Sequence, residues 1–202
     1  LEGPALAMLE AIAPEMPFGQ RLMVANRWLF GSVLLRQLQQ TPRGNATVRT
    51  TLAPTIFQAG VKENVIPSTA RALVNVRLLP GDTPERVLEH LRRRVPAGVE
   101  VKLESVLSLP SPVADVNGEG FRLLRRVARA AFPEARVVPY LVLGATDARY
   151  YTELTPNVFR FLPVRLTPEE YQTFHAVNER LPVREVLRAV RFYAALLSAG
   201  AR

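Results

Sequence analysis

Three short clusters of polar residues have the types and spacing for chemistry. The first is Gly60-Val61-Lys62-Glu63-Asn64-Val65-Ile66-Pro67, with Arg77 thirteen residues beyond Asn64. An Asn amide offers two donors and an acceptor, and an Arg guanidinium offers a rigid donor fork for a carboxylate. With Asn64 in a turn and Arg77 on the strand after it, both could reach one side of a sheet. The plainer alternative makes Asn64 a turn cap and Arg77 a solvated strand residue. The second cluster is Gly144-Ala145-Thr146-Asp147-Ala148-Arg149-Tyr150-Tyr151, directly after an apolar stretch. A Gly at the end of a strand, then small and polar residues opening a helix, suits an anion held by backbone N–H groups. Thr146 adds a hydroxyl donor. An ordinary helix start capped by Thr146 or Asp147 fits the same residues.

The third cluster is Phe174-His175-Ala176-Val177-Asn178-Glu179. A neutral imidazole beside amide and carboxylate groups could be a metal ligand with its supporting shell. A lone histidine is also often just structural or exposed. The other histidine, His90, sits in Glu89-His90-Leu91-Arg92 with no further ligand type arranged around it, and reads as a surface residue.

The elements that must position these clusters follow from pattern and punctuation. Ala5–Ala13 reads as a short helix ended by Pro14, and Phe18–Gln40 as a longer, largely apolar helical stretch. The poorly defined period of the latter points to burial or an interface rather than one wet face. Thr41–Asn45 reads as a loop and Ala46–Ala59 as a strand. Ala70–Leu79 reads as a half-buried strand, with Leu73, Asn75 and Arg77 alternating with Ala72, Val74 and Val76. Asp82 or Thr83 caps a helix with Pro84 at its first position, running to about Val95. Val99–Val106 reads as a further strand. Strand, strand, helix, strand is the unit of an α+β layer, an antiparallel sheet with helices on one face.

Leu109–Pro112 reads as a linker, giving domains 1–108 and 109–202. The second part alternates helix and strand: a helix over Gly118–Phe132, strands at Arg136–Leu143 and Val158–Leu162, a capping box at Thr167 and Glu170, and a terminal helix over Pro182–Ser198. That alternation predicts part of an α/β layer, with its remaining strands expected before Leu1.

Composition narrows the function classes. The 202 residues are 48% hydrophobic and 22% charged, which suits ordinary folded cores and not a disordered chain. The net charge of +8 invites a nucleic-acid reading. Yet the cations are arginines apart from Lys62 and Lys102, spread along helices, and no basic strand carries interleaved aromatics. No nucleic-acid partner is expected. No apolar run reaches the roughly 18–20 residues that span a bilayer, and no membrane partner is expected. There is no cysteine, so disulfides and thiolate metal sites are excluded and the cytoplasm is the default compartment. Leu1-Glu2-Gly3-Pro4 carries no leader features and reads as an interior point of a longer chain or as an artificial boundary.

Taken in order, NATVRTT, VKENVIP with Arg77, GATDARYY and FHAVNER resemble the family that contains carboxypeptidase S, aminoacylase, the N-acyl-amino-acid hydrolases and the desuccinylases. The stretch Phe18–Gln40 before NATVRTT looks most like the carboxypeptidase S branch. The resemblance implies a lid, or dimerisation, domain followed by the C-terminal part of an α/β catalytic domain. It implies that His175 closes one site of a two-zinc centre, other divalent metals being possible. Asn64 and Arg77 would hold the substrate carboxylate and scissile carbonyl, and Gly144, Thr146 and Arg149 would belong to the substrate-binding loop. Ala145 stands where the family usually has a second glycine.

The other zinc ligands and the general-base Glu of such enzymes would lie before the lid and have no counterpart here. No catalytic residue is therefore assigned. A zinc site needs at least three protein ligands. The expectation is a portion of a zinc-dependent amidohydrolase or carboxypeptidase acting on peptides or N-acyl amino acids. It would dimerise through the lid and be inactive as an isolated chain. The alternative is a non-enzymatic dimerisation module.

Overall fold

The computed structural model describes residues 1–201. Contacts divide the chain into two units, Leu1–Pro112 and Val113–Arg202.

The first unit opens with α1 (Gly3–Ile12), which runs into a single 3-10 turn at Ala13–Glu15. The stretch expected as one helix over Phe18–Gln40 is two, α2 (Phe18–Ala25) and α3 (Arg27–Gln39). The break falls at Asn26, whose backbone leaves helical geometry at φ −108° and ψ 42°. Its side-chain amide donates to the carbonyl of Leu22 at 3.0 Å. The Asn26 N–H donates to the same carbonyl at 3.0 Å, and the carbonyl of Asn26 accepts from the Leu29 and Phe30 N–H groups, so one helix ends and the next begins on this residue. The loop expected at Thr41–Asn45 instead opens α4 (Pro42–Val48). Thr41 Oγ1 accepts from the Gly44 N–H at 3.1 Å. A cap followed by Pro is as much a helix start as a loop signal. Ala13, Val24 and Leu34 form the small core of this helical part, with Leu1, Met16 and Met23 packed on it.

Because Ala46–Val48 complete α4, the strand expected from Ala46 begins later, as β1 (Thr51–Ala59). It pairs antiparallel with β2 (Ala70–Arg77), Thr51 opposite Arg77 and Ala59 opposite Ala70. The register slips between Pro54 and Ile56, leaving Thr55 as a bulge. Thr50 closes the open end: its hydroxyl donates to the Asp82 carboxylate and accepts from the Leu79 N–H. Then α5 (Pro84–Arg92) follows the expected cap, Thr83 accepting from the Arg86 N–H at 3.4 Å.

The third strand expected at Val99–Val106 is not formed among the described residues. Arg92 donates to the Val101 carbonyl at 3.2 Å, and Arg71 pairs with Glu104 at 2.8 Å. Side chains tether the segment without giving its backbone a ladder partner, and alternation alone makes no strand. The first unit is thus α+β, built on a two-stranded antiparallel sheet.

The second unit contains α6 (Glu119–Ala131), α7 (Ala148–Tyr151), α8 (Pro168–Gln172) and α9 (Val183–Gly200). Its core lies between α6 and α9, where Leu124, Val127, Ala128, Phe132 and Phe192 are buried together. The strands expected at Arg136–Leu143 and Val158–Leu162 are extended segments without pairing among the described residues. Phe159 and Phe161 do share a side, as a strand would require. They spend it on the helices, with ring centroids 5.6 Å from Phe121 and 5.2 Å from Phe192. Tyr193 adds a hydrogen bond from its hydroxyl to the Phe161 carbonyl at 3.1 Å.

Candidate functional site

Asn64 lies in the exposed turn joining β1 to β2, beyond Gly60, whose φ of +73° starts the reversal. Arg77 is the last residue of β2, at the opposite end of the ladder and exposed. The seven steps from Ala70 to Arg77 rise about 23 Å at roughly 3.3 Å per residue. The turn that carries Asn64 follows one end of the ladder and Arg77 closes the other, where the sequence suggested that both could reach one side of the sheet.

In the second unit, Gly144 and Thr146 lie on an exposed loop, and nothing lies within 4 Å of where a side chain on Gly144 would begin. The helix that follows, α7, is one turn, and Asp147 makes no side-chain cap. The Arg149 N–H is taken by the Thr146 carbonyl at 3.2 Å and the Tyr150 N–H by Asp147 at 3.0 Å. One turn with these amides engaged makes a poor anion cradle by itself. Arg149 is held more firmly. Its guanidinium donates to the Tyr150 hydroxyl at 2.7 Å and lies 4.7 Å from that ring's centroid.

His175 sits in the turn after α8, where the expected capping box is present. Thr167 Oγ1 accepts from the Glu170 N–H at 3.2 Å, and the Glu170 carboxylate accepts from the Thr167 N–H at 2.9 Å. The chain then turns through bonds from Ala176 N–H to Thr173 and from Glu179 N–H to Ala176. His175 and Asn178 adopt φ of 61° and 64°, the two left-handed non-glycine residues among those described. Such backbone is sparsely populated and persists where surroundings over-determine it. Glu179 supplies part of that restraint, accepting from the His175 N–H at 3.2 Å. The imidazole itself is exposed. No group of three or more His, Cys, Asp or Glu side chains able to hold a metal occurs among the described residues. The donor set of this chain does not by itself fit a metal centre.

The shifted carboxylates lie elsewhere, at helix starts. Glu85 is held below its usual pKa by a hydrogen bond from its own backbone amide and then by Thr83. Glu169 is lowered in the same way by its own amide and Thr167.

The sequence reading missed one buried charge cluster in this unit. Glu185, in the first turn of α9, is only 2% exposed. Its carboxylate accepts from the Arg165 N–H at 2.9 Å and from Arg188 Nη1 at 3.0 and 3.1 Å. Arg165 in turn pairs with Glu134, and the guanidinium carbons of Arg165 and Arg188 lie 5.7 and 5.5 Å from the Phe132 ring centroid. The fixed Arg165 amide stands two residues before the Thr167 cap. The local signal was Glu185 with Arg188 three positions on, which reads equally well as a solvated pair.

Residues 24–100 match the family model described as a peptidase dimerisation domain. Over 200 residues the chain is 38% identical to a human protein named N-fatty-acyl-amino acid synthase/hydrolase, covering 96% of this chain and 39% of that one. It is 34% identical over 192 residues to a probable carboxypeptidase S-like protein of Dictyostelium discoideum, covering 94% and 37%. It is 27% identical over 177 residues to carboxypeptidase S of Saccharomyces cerevisiae, covering 72% and 31%. The chain thus spans about two-fifths of the length of these relatives or less. No solved structure matches it.

Proposed function

The chain belongs to the M20 peptidase family, and on that premise we propose that it supplies the lid and the C-terminal part of the catalytic domain of a zinc-dependent amidohydrolase. The observation that carries this is the extent of the likeness: 200 aligned residues run through both units, well beyond the dimerisation domain. An N-acyl amino acid and the C-terminal residue of a peptide share one feature, an amide next to a free carboxylate. In the first unit Arg77, at the end of β2, and in the second Arg149, fixed against Tyr150, each carry a guanidinium of the kind that pairs with such a carboxylate. Asn64 in the first unit, and Gly144 and Thr146 in the second, are the loop donors of each. Because Asn64 and Arg77 stand at opposite ends of the hairpin, they serve different parts of the substrate or different subunits of a lid-mediated homodimer.

His175 is proposed as one zinc ligand, presented by a turn whose backbone is fixed before any metal arrives. The remaining ligands would come from outside this chain, and the isolated 202 residues are expected to be inactive. The test is zinc content and amide hydrolysis of the complete protein with His175→Ala. Loss of both supports the reading, and unchanged metal and rate overturn the ligand assignment. A complete protein that binds no zinc and hydrolyses nothing, yet dimerises, would establish the non-enzymatic module instead. That alternative draws on the dimerisation-domain match itself.

A further inference from the structure

Both backbone groups of Arg149 and part of its guanidinium are engaged within the loop that carries it. Its N–H donates to the Thr146 carbonyl at 3.2 Å. Its carbonyl accepts from the Thr152 hydroxyl at 2.7 Å and from the Thr152 N–H at 3.4 Å. Its Nη2 donates to the Tyr150 hydroxyl at 2.7 Å, and the guanidinium carbon stands 4.7 Å from the centroid of the same ring. The bond to the oxygen sets how far the guanidinium reaches, and the contact with the ring sets how it tilts. One neighbouring side chain therefore aims the cation.

The donor count of this pair has a consequence for ligands. A guanidinium carries five N–H donors and no acceptor, so the bond to Tyr150 leaves most of them for another partner. A phenol that accepts on its oxygen keeps its own hydrogen to donate. Arg149 supplies the hydrogen shared between the two side chains, so the hydroxyl hydrogen of Tyr150 points elsewhere. The pair thus presents a charged N–H and a neutral O–H side by side. A carboxylate, acceptor at both oxygens, can take a bond from each. A carboxamide has an oxygen on one side only, and its NH2 would set donor against donor.

We propose that Tyr150 is a second donor to the substrate carboxylate: its ring aims Arg149, and its hydroxyl completes a mixed N–H and O–H clamp that prefers a free acid over an amide. This role rests on the proposed function of Arg149, and it adds a residue that the family resemblance did not name.

The complete protein is assayed on N-acetyl-leucine and N-acetyl-leucinamide, and the ratio of the two kcat/KM values measures the preference for the free acid. Tyr150→Phe keeps the ring and removes the O–H. The preference should fall about tenfold, the low end of what a hydrogen bond to a charged group is worth. The fall should be carried by KM with kcat held, as for an interaction made equally in ground state and transition state. Tyr150→Leu removes the ring as well and should lower the preference further, because Arg149 loses its aim. Arg149→Gln sets the floor.

An unchanged preference in Tyr150→Phe beside a reduced one in Arg149→Gln overturns the proposal and leaves Arg149 as the partner of the carboxylate. An unchanged preference in both variants overturns the proposal together with the role of Arg149. If the complete protein turns over neither compound, the hydrolase reading fails, and calorimetric affinities for the same two compounds then decide Tyr150 separately. The same tenfold loss of preference in Tyr150→Phe supports the clamp; an unchanged ratio, or no binding of either compound, overturns it.

Discussion

Glu185→Ala is the most informative perturbation of the second unit. The native carboxylate is 2% exposed and its oxygens are occupied by the Arg165 N–H and by Arg188. Removing it orphans a backbone N–H, at about 1–3 kcal/mol for an unsatisfied buried donor. It also strips Arg188 of its counter-charge. Breaking a fully buried ion pair costs about 3–5 kcal/mol. Here the Arg188 side chain is 31% exposed, so water recovers part of that loss. A total near 2–4 kcal/mol follows, which for a chain of this size lowers the melting temperature by roughly 2–4 °C per kcal/mol.

Urea denaturation of wild type, Glu185→Ala, Arg188→Ala and the double variant measures both the cost and the coupling. Glu185→Gln keeps an acceptor for the Arg165 amide and should fall between wild type and Glu185→Ala. In the complete protein, loosening Arg165 should also loosen the Thr167 cap and the His175 turn, seen as faster amide exchange there. A Glu185→Ala cost below about 0.5 kcal/mol, the range of ordinary surface substitutions, would refute the reasoning.

Gly44→Ala should be costly for a steric reason: its new carbon would stand 2.2 Å from the Leu38 carbonyl oxygen and 2.8 Å from Thr41 Oγ1. The junction of α3 and α4 must open, and a loss of about 1–3 kcal/mol is expected in urea melts, as for other overpacked sites. Thr167→Ala removes one half of the capping box and should cost about 1 kcal/mol, with exchange rising over α8 and the His175 turn. Glu85 and Glu169 have folded pKa values below the usual 4.5, so their stabilisation is present above that value and is lost as pH falls through it toward the folded pKa. Acid titration by circular dichroism should show helix loss below about pH 4.5 that Glu85→Gln with Glu169→Gln diminishes.

How much of this was legible in the sequence depended on how local the determining contact is. A cap at Asp82 or Thr83 before Pro84, and Thr167 with Glu170, were read as helix starts, and Thr83 and Thr167 are the caps, because each signal and its partner lie within four residues. The hairpin was legible from its alternation and the Gly60 turn. The strands expected at Val99–Val106, Arg136–Leu143 and Val158–Leu162 were not formed, because a strand depends on a distant edge that alternation cannot supply. Asn26 was overlooked inside an apolar run, although Asn is a residue type that readily leaves helical backbone, as it does here. Glu185 was illegible for the same reason as the strands: its carboxylate is bound by the Arg165 N–H, twenty residues away in sequence.

Three of the candidate residues share a property that bears on mechanism. Arg149 is held against Tyr150, His175 by its left-handed turn and Glu179, and the Arg77 backbone by the ladder end that Thr50 ties to Asp82 and Leu79. In the first unit Asn64 belongs to the turn and Arg77 to the far end of the ladder, while in the second Gly144, Thr146 and Arg149 share one loop. Asn64 and Arg77 are separated by the length of the hairpin, and His175 has no second metal-ligating cluster member beside it among the described residues. Local fixation without convergence is what a shared site requires of each contributor, since groups already held in place lose little further entropy when the remaining walls arrive. A free-standing site would show the reverse, with side chains converging in a buried pocket and shifted pKa values at the site itself. Here the two lowered carboxylates lie in the first turns of α5 and α8 instead. The proposed role of this chain is that of a contributor, and the Glu185 cluster tests whether the second unit is rigid enough for it.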